Sequence, residues 1–139
     1  MPYEVFEHTA DVGLYVTGAS LEELFADAGH GLMSLIVDNP HDIRQTATVQ
    51  LELEGDEIDE LFADWLRELL FRFETEHLLC AAFSIRLTDG NRRLHAECRG
   101  ERADWTRHEP GTEVKAITEH QLRVERTASG WEARVILDI

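Results

Sequence analysis

Positive charge is scarce in this 139-residue chain. Thirteen Lys and Arg stand against 28 Asp and Glu, for a formal net charge of −15 and a pI near 4.7. So acidic a surface repels phosphate backbones, and direct binding to nucleic acid is not expected. It suits strong solvation or a basic partner. Cysteine is rarer still. Cys80 and Cys98 form no CxxC pair and no disulfide framework, which fits a reducing cytoplasm. The chain shows no signal-like segment and no run of eighteen apolar residues, so a cytoplasmic protein that does not enter a membrane is expected. The histidines lack HxxxH spacing, which argues against zinc. There is no paired metal motif, no nucleophile set beside a base and no phosphate-cradling glycine loop, so little favours a stand-alone metal-dependent hydrolase. Internal repeats, low-complexity tracts and linkers are missing too.

Apolar residues make up 43% of the chain, enough to build one domain over 1–139. Residues 3–8 and 12–18 read as two short strands. Ser20 is a helix N-cap, with Glu23 completing a capping box. Leu21, Leu24, Phe25, Ala28, Leu32, Leu35 and Ile36 then follow helical spacing, and Asn39-Pro40 ends the helix. Residues 46–54 alternate as a strand, with Val49, Leu51 and Leu53 on one face. Ile58, Leu61, Phe62, Trp65, Leu69 and Phe73 mark a second helix that runs to about Glu74; its acidic start suits the helix dipole. Strands over 79–88 and 92–99 join at Asp89-Gly90-Asn91. Residues 100–113 form the longest loop, order restarts at 115–118, and 119–126 and 131–137 form a hairpin over Ser129-Gly130. The pattern β-β-α-β-α-β-β-β-β predicts an α+β domain, two helices packed on a mostly antiparallel sheet system.

The last nine residues, Trp131 to Ile139, read as a strand and carry Asp138 and the final carboxylate with them. If the N-terminal strands lie alongside, Asp11 joins that acidic end. Carboxylates brought together repel unless a hard cation or a basic side chain lies between them.

Several stretches together resemble the archease family. They are His8-Thr9-Ala10-Asp11-Val12-Gly13, Ser20-Leu21-Glu22-Glu23-Leu24-Phe25, Asp64-Trp65-Leu66 with Glu68-Leu69-Leu70, Glu113-Val114-Lys115-Ala116-Ile117-Thr118 with His120, and the ending Ile136-Leu137-Asp138-Ile139. They span nearly the whole chain in order. The resemblance implies a small accessory protein of the RtcB-type RNA ligase, the GTP- and metal-dependent enzyme that joins tRNA halves. Such a protein stimulates ligase guanylylation and multiple turnover in tRNA splicing and RNA repair without being a ligase itself. It also implies a divalent cation, calcium, with magnesium or manganese as alternatives, held by Asp11, Asp138 and the main-chain or terminal oxygens of Ile139. Oxygen donors of this kind suit a hard ion.

Each position also has a plainer reading. Asp11 alone is a turn aspartate and Asp138 a terminal charge. Lys115 is either a solvent-facing residue or a cation reaching toward a phosphate or a partner carboxylate. Glu23 has its capping role, which leaves Glu22 for partner contact. His8 and His120 either orient nearby carboxylates or are structural. Asp104 and His108 lie in the long loop, where functional groups are often displayed. Asp64 belongs to a helix surface and Trp65 to the core. A third role remains beside ligase activator and hydrolase, that of a chaperone-like binder whose ion staples the chain ends.

Overall fold

The computed structural model describes residues 2–7 and 11–139. The elements are β1 (Tyr3–Glu7), β2 (Asp11–Gly18), α1 (Leu21–Ile36), β3 (Ala47–Glu54), α2 (Ile58–Glu76), β4 (Leu78–Thr88), β5 (Arg93–Arg102), β6 (Ala116–Ile117), β7 (Arg123–Thr127) and β8 (Gly130–Asp138). Two antiparallel sheets result. One has the order β1-β2-β8-β6, with β7 also paired to β8; the other is β3-β5-β4. The α+β class expected from the sequence is therefore the class found.

Ser20 begins α1 as its context predicts. Its Oγ accepts from the Glu23 N–H at 3.2 Å, and the Glu23 carboxylate accepts from the Ala19 N–H at 2.9 Å. The return bond thus reaches one residue further back than in a capping box. Two glycines sit inside this helix, where each costs about 1 kcal/mol against alanine. Close packing explains them. A Cβ on Gly31 would lie 2.8 Å from Leu14 Cδ1 of β2, and one on Gly29 2.8 Å from the Phe83 ring of β4. The helix is thereby pressed against a strand of each sheet. α2 crosses it through Trp65, whose indole N–H donates to the Phe25 carbonyl at 2.8 Å, and through the edge-on rings of Phe25 and Phe62. Leu14, Leu24, Phe25, Leu32, Phe62, Trp65 and Val135 are wholly buried.

Several boundaries move from their expected places. α2 runs two residues past Glu74 and stops where His77 adopts left-handed backbone, its N–H donating to the Phe73 carbonyl. β5 continues through Gly100 to Arg102. That glycine is no break: a Cβ there would lie 1.8 Å from the Leu79 carbonyl oxygen, across from the irregularity between Cys80 and Ala82. Residues 119–122 form a turn with Gln121 at φ 56°, and β7 starts only at Arg123. Cys80 and Cys98 are small core residues, as expected; the hydrogen bond with the neighbouring Cys98 thiol, and then burial, push the Cys80 thiol well up.

The loop after β5 is fastened by a buried carboxylate. Glu101 accepts from the Arg44 N–H at 2.7 Å, from the Arg107 guanidinium and from His108 Nε2 at 2.9 Å. His108 Nδ1 accepts from the Asp104 N–H at 2.9 Å, so the ring proton sits on Nε2 and points at Glu101. The loop histidine expected on display is instead a buried structural post. Asn39 adds bonds to Arg107 O and from the Glu109 N–H.

Burial alone would raise the Glu101 carboxyl, but the bonds from Arg107, Arg44 and His108 outweigh it and hold the group below the ordinary glutamate range. Its stabilising contribution is full above about pH 4.3, the unfolded value, and is lost as pH falls through the lower folded value. Burial against Phe83 lowers the His30 imidazole, so stability also falls once pH drops below about 6.5, where the unfolded chain binds the proton first. Urea titrations across pH are expected to give two acid losses, the upper removed in His30→Phe and the lower in Glu101→Gln. At neutral pH, Glu101→Ala is expected to cost about 2–3 kcal/mol, since it strands a partly buried guanidinium.

Candidate functional site

β2 pairs with β8 along its full length, and the register alternates two faces. Val12 opposite Leu137, Leu14 opposite Val135 and Val16 opposite Ala133 all point into the core. The intervening residues lie on the opposite face, where Ile136 is also buried. Phe6 lies over Gly13, and Arg134 stacks on the Phe6 ring at 4.8 Å. At the end of this outer face Asp11 stands directly opposite Asp138. Side chains so opposed have Cβ atoms about 4.5–5.5 Å apart. On the other side of Asp138 lies Ala116 of β6, which adds no charge. Asp11 is half-buried and Asp138 exposed.

β6 is brought there from two directions. The Lys115 N–H donates to the Asp138 carbonyl at 2.8 Å, and the Thr118 N–H to the Ile136 carbonyl at 2.9 Å. From α2, Arg67 sends Nε and Nη2 to the Ile117 carbonyl at 3.3 and 3.2 Å, its Nη1 held by Asp64 at 2.9 Å. Lys115 is exposed beside the acid pair, and it is the only lysine in the chain. Asp11, Asp138, Ile139 and Lys115 are thus gathered at one end of the sheet.

The other residues singled out from the sequence fall elsewhere. His8 lies outside the described residues. His120 is exposed in the turn between β6 and β7, its N–H donating to Thr118 Oγ1. Glu22 sits in the first turn of α1, past the far end of β2. Seven strand steps of about 3.3 Å separate that end from Asp11, roughly 23 Å. Among the described residues no three Asp, Glu, His or Cys side chains converge. The oxygen groups present at this end are the two facing carboxylates with main-chain carbonyls beside them. Oxygen of this kind fits a hard divalent ion.

Sequence reasoning passed over two features. Arg67 ties α2 to the strand beside Asp138, a contact that helical periodicity does not signal. Trp105 drew no attention, although a tryptophan in a polar loop is itself a signal. It is 47% exposed and lines an open groove of about 430 Å³ with Leu70, Phe73 and Val114, ending at Lys115.

Comparison with known proteins agrees with this architecture. Residues 3–139 match the model of the Archease protein family (MTH1598/TM1083). The protein archease of Pyrococcus furiosus is 36% identical over 140 residues, covering 99% of this chain and 98% of that one. The solution structure of Methanobacterium thermoautotrophicum protein 1598 superposes with a TM-score of 0.86 at 31% identity, covering 99% of each chain. A Thermotoga maritima crystal structure, titled an archease and possible chaperone, gives 0.69 at 26% identity over 98% of this chain and 96% of that one. Matched by the family model over residues 3–139 and by relatives about 36% identical across nearly their whole length, the chain belongs to the archease family.

Proposed function

We propose that this protein is a cytoplasmic accessory factor of an RtcB-type RNA ligase, holding a divalent ion with Asp11, Asp138 and the main-chain oxygens of Ile139. It promotes ligase guanylylation and repeated turnover in tRNA splicing without chemistry of its own. The observation that carries the reading is the pairing of Asp11 with Asp138. Two carboxylates held face to face on an outer sheet surface repel, and like charges so opposed cost about 0.2–1 kcal/mol. A bound divalent ion would supply the positive charge that makes the pair stable and fit to meet anionic groups.

The chain's own residues do the rest. The β2–β8 register fixes the spacing of the two carboxylates, and Arg67 and the Lys115 N–H keep β6 beside them. Lys115 adds one cation at the rim, suited to a phosphate or a carboxylate of the ligase. The net charge of −15 draws the domain toward a basic active-site mouth and makes association salt-sensitive. No helix is long and apolar enough to cross a membrane among the described residues.

Ligase turnover at limiting amounts of this protein tests the reading. Addition of the wild type is expected to raise turnover, while Asp11→Ala and Asp138→Ala fail to do so. Full stimulation by both variants would remove the site assignment, and no effect of the wild type would remove the partner. The ion has its own readout. Calcium is expected to raise the melting temperature of the wild type and to leave Asp138→Asn unchanged. In chelator and low salt the same variant is expected to be the more stable protein, by about 0.2–1 kcal/mol, because the facing charges are relieved. If chelation lowers melting but ligase stimulation survives, the ion is a staple between the chain ends.

A further inference from the structure

The groove beside Lys115 is not used by the function just described. One wall is the last turns of α2, with Leu70, Phe73 and Glu74; the other is the loop from Trp105 to Lys115, including Glu113. Exposed apolar side chains are ordinary when scattered. Here Leu70, Phe73, Val114 and Trp105 share one groove, and Trp105 is one of the large apolar side chains most open to solvent among the described residues. Trp105 lies edge-on to Phe73 at 6.3 Å inside the groove. Phe71, 57% exposed, stands one helical turn before Glu74. Ile139 follows Asp138, whose carbonyl receives the Lys115 N–H. The groove therefore ends at the residue whose main chain is bonded to Asp138.

The loop wall is held in place before anything binds. Asp104 Oδ1 accepts from the Thr106 N–H and hydroxyl, the Asp104 carbonyl from the His108 N–H at 2.7 Å, and His108 is locked to Glu101. Farther along, the Gly111 and Thr112 N–H groups donate to the Ile36 and Leu35 carbonyls of α1. A preformed slot loses little freedom on binding. Glu74 and Glu113 line it, with Lys115 the cation at one end. A second copy of a chain carrying −15 is repelled from such a surface, whereas a basic segment is attracted.

We infer that this groove is the docking surface for the partner ligase, receiving an apolar or aromatic side chain from a segment flanked by Arg or Lys, and that this seats the Asp11–Asp138 end against the ligase. The inference rests on the function proposed above and separates binding from activation. Tryptophan in a partly formed pocket is the kind of residue that dominates interface energy.

The test measures affinity for purified RtcB-type ligase and, separately, turnover at saturating accessory protein. Trp105→Lys is expected to weaken binding about tenfold or more, with stimulation restored at saturation. Trp105→Phe is expected to retain binding, and Glu74→Lys with Glu113→Lys to slow association. Asp138→Ala is expected to bind within about threefold of wild type and not to stimulate. Melting temperatures of the Trp105 variants are expected to match the wild type, since the side chain is half in solvent. Unchanged binding by Trp105→Lys, with Asp138→Ala still inactive, overturns the groove and leaves the proposed function standing. Absence of any binding by the wild type overturns both. A wild-type dimer that Trp105→Lys converts to monomer assigns the groove to self-association and overturns the inference.

Discussion

The pairing of β2 with β8 is the constraint from which the site follows. Burial of Val12, Leu14, Leu137 and Val135 sets the register, and each such side chain contributes about 1.5–3 kcal/mol. A slip by one residue would turn all of them outward. The facing of Asp11 and Asp138 costs about 1 kcal/mol at most. The apolar side of the ladder therefore decides, and the outer side must accept two carboxylates at its end. The facing of the two acids is imposed by the packing of the opposite side of the ladder.

Around this ladder the remaining parts act as braces. Gly29 and Gly31 let α1 lie close between strands of both sheets. Trp65 ties α2 to α1, and Arg67, one position beyond its neighbour Leu66, ties α2 to β6. Glu101 sits at the far end of the loop and gathers Arg44, Arg107 and His108. Between that anchor and the Asp138 carbonyl the loop is fixed at both ends, which is why its irregular backbone keeps one shape.

Local signals in the sequence were mostly reliable. Ser20, the 3.6-residue period of α2 and the Asp89-Gly90-Asn91 turn predicted elements that exist, because each acts through neighbours in the chain. Errors arose where distant contacts override local chemistry. Gly100 looks like a terminator but serves an approach to Leu79 from another strand. Residues 119–126 read as one strand, yet Gln121 turns the chain and the strand starts at Arg123. His108 looked available in a polar loop, and only tertiary burial of Glu101 makes it structural. The meeting of Asp11 with Asp138 joins opposite ends of the chain; composition and periodicity raised it only as a condition, and the family resemblance supplied the rest. Trp105 offered the one legible hint of the groove.

The solitary lysine has a consequence of its own. The other twelve of the thirteen Lys and Arg are arginines, which stay ionised and resist acylation. The ε-amino chemistry of the side chains therefore has a single address, next to Asp138. Acetylation there would shift the local sum over Asp11, Asp138 and Lys115 from −1 to −2 and leave the rest of the surface as it was. One covalent mark would retune the electrostatic character of the sheet end, strengthening its pull on cations while removing the lysine's hold on anions.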